Sequence, residues 1–274
     1  MKRLGIVFFL PLIVLATISG QTGIPTQSAG ELAKTRSEVT TFMAWKDPPS
    51  LVVEGWEKAR CATLDYSPGI KTDVYWPAEA QAKPLPIVLV AFSYTSAQFV
   101  ADSGIAFREY VPTTIWLSQL ANRGFIAVCP DIESTGKDMA TMMTWLQNNA
   151  KNLGADPTRL GLLSFSANPK IIPSMMALPE ASSVKAIALY YPELIPSSWS
   201  AWPGVALHII KVGQDPALSN LRSDLVAKKF KDAGNYVEVI TYENGRHVFD
   251  LKDRSPEAAA AMAATLDFFA ARLH

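Results

Sequence analysis

The sequence predicts an α/β domain, with a mostly parallel twisted sheet, helices on both faces and no large lid domain. Three observations predict it. Apolar runs of strand length at 87–92, 125–129, 160–165, 184–190 and 205–212 are continuous rather than alternating, as strands buried on both faces are. Stretches of helical period separate several of these runs, the order that a parallel sheet with crossover helices requires. The chain of 274 residues, 49% hydrophobic, is long enough to bury one large core.

The elements follow in order. Met1-Lys2-Arg3, the apolar run 4–18 and Ser19-Gly20 have the charged start, apolar core and small-residue end of a signal peptide over 1–20. Export to a periplasmic or secreted location is expected, with no stable membrane insertion after cleavage. The run carries Pro11 and is shorter than the ~20 residues of a spanning helix. No cysteine follows it directly, which argues against a lipoprotein anchor. Residues 21–50 are polar and irregular, an N-terminal arm or linker with a short helix around 31–43, and the folded domain is expected over 51–274. Segments 58–66 and 70–76, separated by Ser67-Pro68-Gly69, form an antiparallel pair. After the strand at 87–92, 102–111 reads as a loop. A helix then carries Ile115, Trp116 and Leu120 on one face and stops at Asn122-Arg123-Gly124.

Ser134 or Thr135 caps a helix whose Met139, Met142, Met143, Leu146 and Ala150 form a packing stripe. Pro173 interrupts the helix after the 160–165 strand. The connection 192–203 is too short for a lid; its Trp199 and Trp202 either wall an open apolar cleft, as substrate-binding residues, or pack under the connection. A helix at 221–233 turns Leu221, Leu225 and Phe230 inward, 237–242 is the last strand, and Ser255 caps a final helix with Met262, Leu266, Phe269 and Leu273 facing the sheet.

Bulk charge points to no polyanionic partner and leaves local basic patches open. Lys plus Arg and Asp plus Glu number 25 each, so bulk charge gives no support for nucleic-acid binding. The chemistry centres on Ser166, where the 160–165 strand stops among small residues and Pro169 can open a helix. A sharp turn there lifts the hydroxyl out of the sheet and aims the Ala167 N–H at an oxyanion. Serine is a weak nucleophile and needs a histidine base oriented by an acid. Of three histidines, His274 ends the chain and His208 lies inside an apolar strand, leaving His247 in the loop after the last strand. Neither Cys61 nor Cys129 has a histidine near it in sequence, so neither a cysteine nucleophile nor a metal site is expected, and no cofactor.

Ser164-Phe165-Ser166-Ala167-Asn168 resembles the nucleophile elbow of the α/β-hydrolase superfamily, Gly-x-Ser-x-Gly, with serine and asparagine in the glycine positions. Asparagine tolerates positive φ best among the other residues. Asp156-Pro157-Thr158-Arg159 is similar to the run preceding the elbow in dienelactone-hydrolase-like and prolyl-oligopeptidase-like members. Tyr94-Thr95-Ser96 is similar to a segment of cutinase-like polyesterases. The resemblance spans about 58–274. It implies the α/β-hydrolase fold and the catalytic set Ser166, Asp215 and His247, with Glu193 the alternative acid and Asp250 a structural partner of the histidine loop. The Tyr94 and Ala167 amides would form the oxyanion hole. Its strand order places one strand between those of Cys61 and Cys129, too far apart for a disulfide. The implied activity is hydrolysis of small-molecule or polymeric carboxylic esters by a serine esterase. The alternatives are a non-catalytic ligand-binding relative, a peptidase or a thioesterase.

Overall fold

The structure, a computed structural model, describes residues 24–39 and 48–274. The expected signal peptide lies outside the described residues. Nine strands form one sheet in the order β1-β2-β3-β5-β4-β6-β7-β8-β9. They are β1 (Gln27–Ser28), β2 (Arg60–Ser67), β3 (Ile70–Trp76), β4 (Leu85–Val90), β5 (Ile126–Pro130), β6 (Ala155–Phe165), β7 (Val184–Tyr190), β8 (Ala206–Val212) and β9 (Val237–Tyr242). The first three are antiparallel to their neighbours, and every pair from β5·β4 to β8·β9 is parallel.

Two consecutive residues of β3 show why both faces are covered, since neighbouring side chains in a strand point to opposite sides. Tyr75 reaches α3 (Val111–Asn122) through a shared arginine: Arg36 donates to the Tyr75 hydroxyl at 3.2 Å and to Thr114 Oγ1 at 2.7 Å. Trp76 Nε1 donates in the other direction, to the Leu153 carbonyl ending α4 (Thr135–Leu153) at 2.8 Å. The last helix, α8 (Pro256–Leu273), joins the α3 side, where Tyr190 meets both Trp116 and Thr265. The methionine stripe of α4 is buried as expected.

Three sequence expectations are corrected. The arm is not a free linker: β1 pairs with β2, and α1 (Ala29–Val39) carries Arg36 into the core, where it is 6% exposed and ion-paired with Asp73. Ala29, Leu32 and Ala33 of the same helix are buried in apolar clusters beside it. The 102–111 loop begins inside α2 (Ser96–Ser103), started by a capping box in which Thr95 and Gln98 satisfy each other's backbone N–H. In α6 (Ala217–Asp232) the buried stripe is Ser223, Val226, Ala227 and Phe230, whereas Leu221 and Leu225 are 54% and 45% exposed. Packing of Phe230 against Trp199 and Trp202 sets that rotation. His274, the last residue, is docked, its ring 4.9 Å from that of Phe125.

Cys61 and Cys129 are free and buried on strands that flank β3. Burial pushes the Cys61 thiol up to about 12 and Cys129 well above its usual range, so both stay protonated and unreactive.

Arg36→Ala removes one of the two arginines facing the buried Asp73 carboxylate, which keeps Arg108 and Thr63, and loss of such a charged hydrogen bond costs about 1.5–3 kcal/mol. Urea unfolding of the variant is expected to show that loss; a change under 1 kcal/mol would mean the Arg36–Asp73 pair contributes nothing to the domain.

Candidate active site

β4 and β6 are adjacent, yet the chain leaves β4 toward β5 on one side and continues from β6 to β7 on the other. Open parallel sheets bind ligands at the strand C-termini where directions diverge in this way. Ser93 and Tyr94 follow β4 there, and Ser166 follows β6.

Ser166 has φ 56, a left-handed conformation that non-glycine residues rarely adopt. Backbone bonds hold it: its N–H donates to the Tyr190 carbonyl at 3.0 Å, and its carbonyl accepts from Glu193 N–H at 2.7 Å. Ser164, buried where the motif has glycine, donates its hydroxyl to the Ala91 carbonyl at 2.8 Å. Asn168 departs from expectation, because the positive φ falls on Ser166 and Asn168 begins a 3-10 turn. Its amide ties two loops instead. Nδ2 donates to the Phe165 carbonyl at 3.1 Å, and Oδ1 accepts from Ser93 N–H at 3.0 Å. The N–H groups of Tyr94 and Ala167, on either side of this tie, donate to no acceptor among the described residues.

His247 and Asp215 converge on the serine from the loops after β9 and β8. Ser166 Oγ lies 2.7 Å from His247 Nε2, and His247 Nδ1 lies 2.9 and 3.1 Å from the two Asp215 oxygens. An ionised carboxylate only accepts, so Nδ1 carries the proton and Nε2 is free to accept from the serine hydroxyl. The two loops are joined by backbone: Gly213 N–H donates to the Tyr242 carbonyl and Gln214 N–H to the Gly245 carbonyl. Gly213 is required by close approach, since a Cβ there would sit 2.0 Å from the Glu243 oxygen. Glu193, the alternative acid, is exposed and contributes its backbone rather than its carboxylate.

Tyr191 and Asp250 complete the surroundings. The Tyr191 ring lies 4.5 Å from that of His247, and its hydroxyl donates to Asp250 Oδ1 at 2.7 Å. Tyr191 has φ 37, and Val248, next to the histidine, has φ 63. With Ser166 these are the three non-glycine residues of positive φ among the described residues, so the backbone strain gathers around one imidazole. Tyr191 was not legible in the sequence, because nothing in Tyr190-Tyr191 distinguishes a core ring from one against the histidine.

A cavity of about 280 Å³ opens beside Ser166, walled largely by aromatic and aliphatic side chains. Trp199 and Trp202 are not among them, which corrects their reading as substrate-binding residues. They pack on each other at 5.4 Å and on Phe230, under the β7–β8 connection. His208 is a buried strand residue held by Glu238 and Thr265. Among the described residues no group of three His, Cys, Asp or Glu side chains is placed to hold a metal ion.

The fold is similar to that of solved hydrolases. Esterase 2 of Thermogutta terrifontis with butyrate bound matches with TM-score 0.57 at 18% identity, over 76% of this chain and 92% of that one. A carboxylesterase from a metagenomic library matches with TM-score 0.61 at 16% identity, over 90% and 98%. The esterase LipW of Mycobacterium marinum matches with TM-score 0.63 at 16% identity, over 89% and 86%. The chain has the α/β-hydrolase fold. No family model and no curated protein matches the sequence. Within the α/β-hydrolase fold, Ser166, Asp215 and His247 occupy strand C-termini in the order serine, acid, histidine.

Burial raises the Asp250 carboxyl to about 6, against a Tyr191 hydrogen bond that favours the ionised form. A carboxyl raised on folding contributes stability below its unfolded pKa near 4 and loses it as pH rises through about 6. The stability of wild type relative to Asp250→Asn is therefore expected to fall by roughly 3 kcal/mol between pH 3 and 7. Urea unfolding at several pH values checks this; a constant difference would mean that Asp250 keeps an ordinary carboxyl.

Proposed function

We propose that the protein hydrolyses carboxylic esters through an acyl-enzyme on Ser166. The observation carrying this reading is the hydrogen-bonded chain Ser166–His247–Asp215 behind a serine of positive φ. His247 Nε2 takes the serine proton as Oγ attacks the ester carbonyl carbon, and the carbonyl electron pair moves to oxygen. The Ala167 and Tyr94 N–H groups, which have no other acceptor among the described residues, hold that oxyanion; such a donor contributes on the order of 3 kcal/mol to the transition state. Collapse expels the alkoxide, which takes the proton from His247. Water then attacks the acyl-enzyme by the same route, releasing the acid and restoring the serine. Asp215 holds the imidazole tautomer and offsets its charge.

The structural neighbours lend support: Thermogutta esterase 2 has been solved phosphonylated by sarin and phosphorylated by paraoxon. The opening segment 1–20 supports export of this hydrolase.

Intact-mass analysis after fluorophosphonate treatment tests the reading. Wild type is expected to gain one adduct, folded Ser166→Ala none, and His247→Ala an adduct at least a thousandfold more slowly. An unlabelled, folded wild type beside a reactive control hydrolase would defeat the proposal.

Asn168→Ala releases the Ser93 amide and loosens the two oxyanion amides together. Loss of one oxyanion donor costs roughly 10²–10³ in kcat, so this indirect change is expected to lower kcat about 10–100-fold with KM nearly unchanged. Steady-state kinetics on a short-chain ester measures it.

A further inference from the structure

The cavity beside Ser166 carries information about the substrate, given the ester-hydrolase reading on which this inference rests. His247 hands its proton to the departing alcohol oxygen, so the alcohol lies beside the imidazole. Ser166 forms part of the cavity wall, whereas neither His247 nor Asp215 does. The cavity thus suits the group that stays bonded to Ser166, the acyl group.

Its size is limited. Trp116 and Leu117 of α3 line the cavity and are themselves 3% and 1% exposed, so they form a closed floor rather than a channel. At ~30 Å³ for each water-sized unit, 280 Å³ holds about nine non-hydrogen atoms.

Its chemistry is specific as well. Six ring side chains line it: Phe99, Phe107, Tyr110, Trp116, Phe165 and Tyr191. Phe107 lies 5.5 Å from Phe99, 5.2 Å from Tyr110 and 6.2 Å from Phe165, all tilted, so the wall is a cluster of mutually inclined rings. The hydroxyls of Tyr110, Ser103 and Tyr191 in the wall already have partners. The Tyr110 hydroxyl donates to Ser103 Oγ at 2.6 Å, Ser103 Oγ lies 2.6 Å from the Phe99 carbonyl, and Tyr191 donates to Asp250. Inclined rings offer both faces and edges to another ring, the arrangement aromatic pairs favour. A long alkyl chain carries more atoms than the cavity holds, and a very short one leaves the cavity part empty.

We propose that this cavity is an acyl site for compact arylacyl groups of about phenylacetyl size, making aryl-substituted carboxylic esters the preferred substrate class.

Ethyl esters place the only ring in the acyl group, and proton release follows their hydrolysis. For wild type, kcat/KM is expected to be at least tenfold higher for ethyl phenylacetate than for ethyl butanoate, and at least a hundredfold higher than for ethyl decanoate. Leu117→Ala lowers the floor and is expected to shift the decanoate-to-phenylacetate ratio about tenfold toward decanoate. Binding of ethyl phenylacetate to Ser166→Ala, followed by NMR contacts to Trp116, reads the cavity without chemistry. Decanoate or butanoate cleaved as well as phenylacetate would overturn the acyl-site proposal and leave ester hydrolysis standing. With no ester cleaved and no fluorophosphonate adduct, the hydrolase reading fails; contacts between ethyl phenylacetate and Trp116 would still support an aryl site, and their absence would overturn it.

Discussion

The candidate site depends on one backbone conformation, the left-handed φ of Ser166. A side-chain-bearing residue held there costs on the order of 1 kcal/mol or more, so the surroundings must over-determine it. They do so through the sheet. Because β6 and β7 run parallel in register to Phe165 and Tyr190, the Tyr190 carbonyl is in place for the Ser166 amide. The next turn of chain, at Glu193, then captures the Ser166 carbonyl. A pairing of strands thereby fixes a side-chain hydroxyl.

From that point the surroundings are linked by short-range bonds. Asn168 joins the elbow to the Ser93 loop, and the Gly213 and Gln214 amides join the acid loop to the histidine loop. The Tyr191–Asp250 bond joins the end of β7 to the start of α7 (Phe249–Lys252). Each link is a few ångströms long and spans tens of residues in sequence. Active-site geometry of this kind belongs to no single element; it is a property of loop ends brought to one edge by the parallel strands.

Much of this was readable beforehand. Strands β4 to β8 announce themselves because burial on both faces demands continuous apolar runs, and the order Ser166, Asp215, His247 follows the strands that carry them. What was missed shares a physical cause. The docking of α1 involves an arginine meeting Asp73 across the fold, and the rotation of α6 two tryptophans from another loop. Periodicity within a segment cannot report partners supplied from elsewhere. The start of α2 is a different case: Thr95 and Gln98 form a local capping signature that a reading of the loop by composition passed over.

The placement of the two cysteines has a further consequence. β3 lies between their strands, so no disulfide forms without pulling a central hydrogen-bonded strand out of the sheet. The described domain therefore has no covalent brace, and its cohesion is purely non-covalent. Its native fold does not depend on the thiol–disulfide balance of its surroundings, and its folding requires neither an oxidant nor a disulfide-shuffling catalyst.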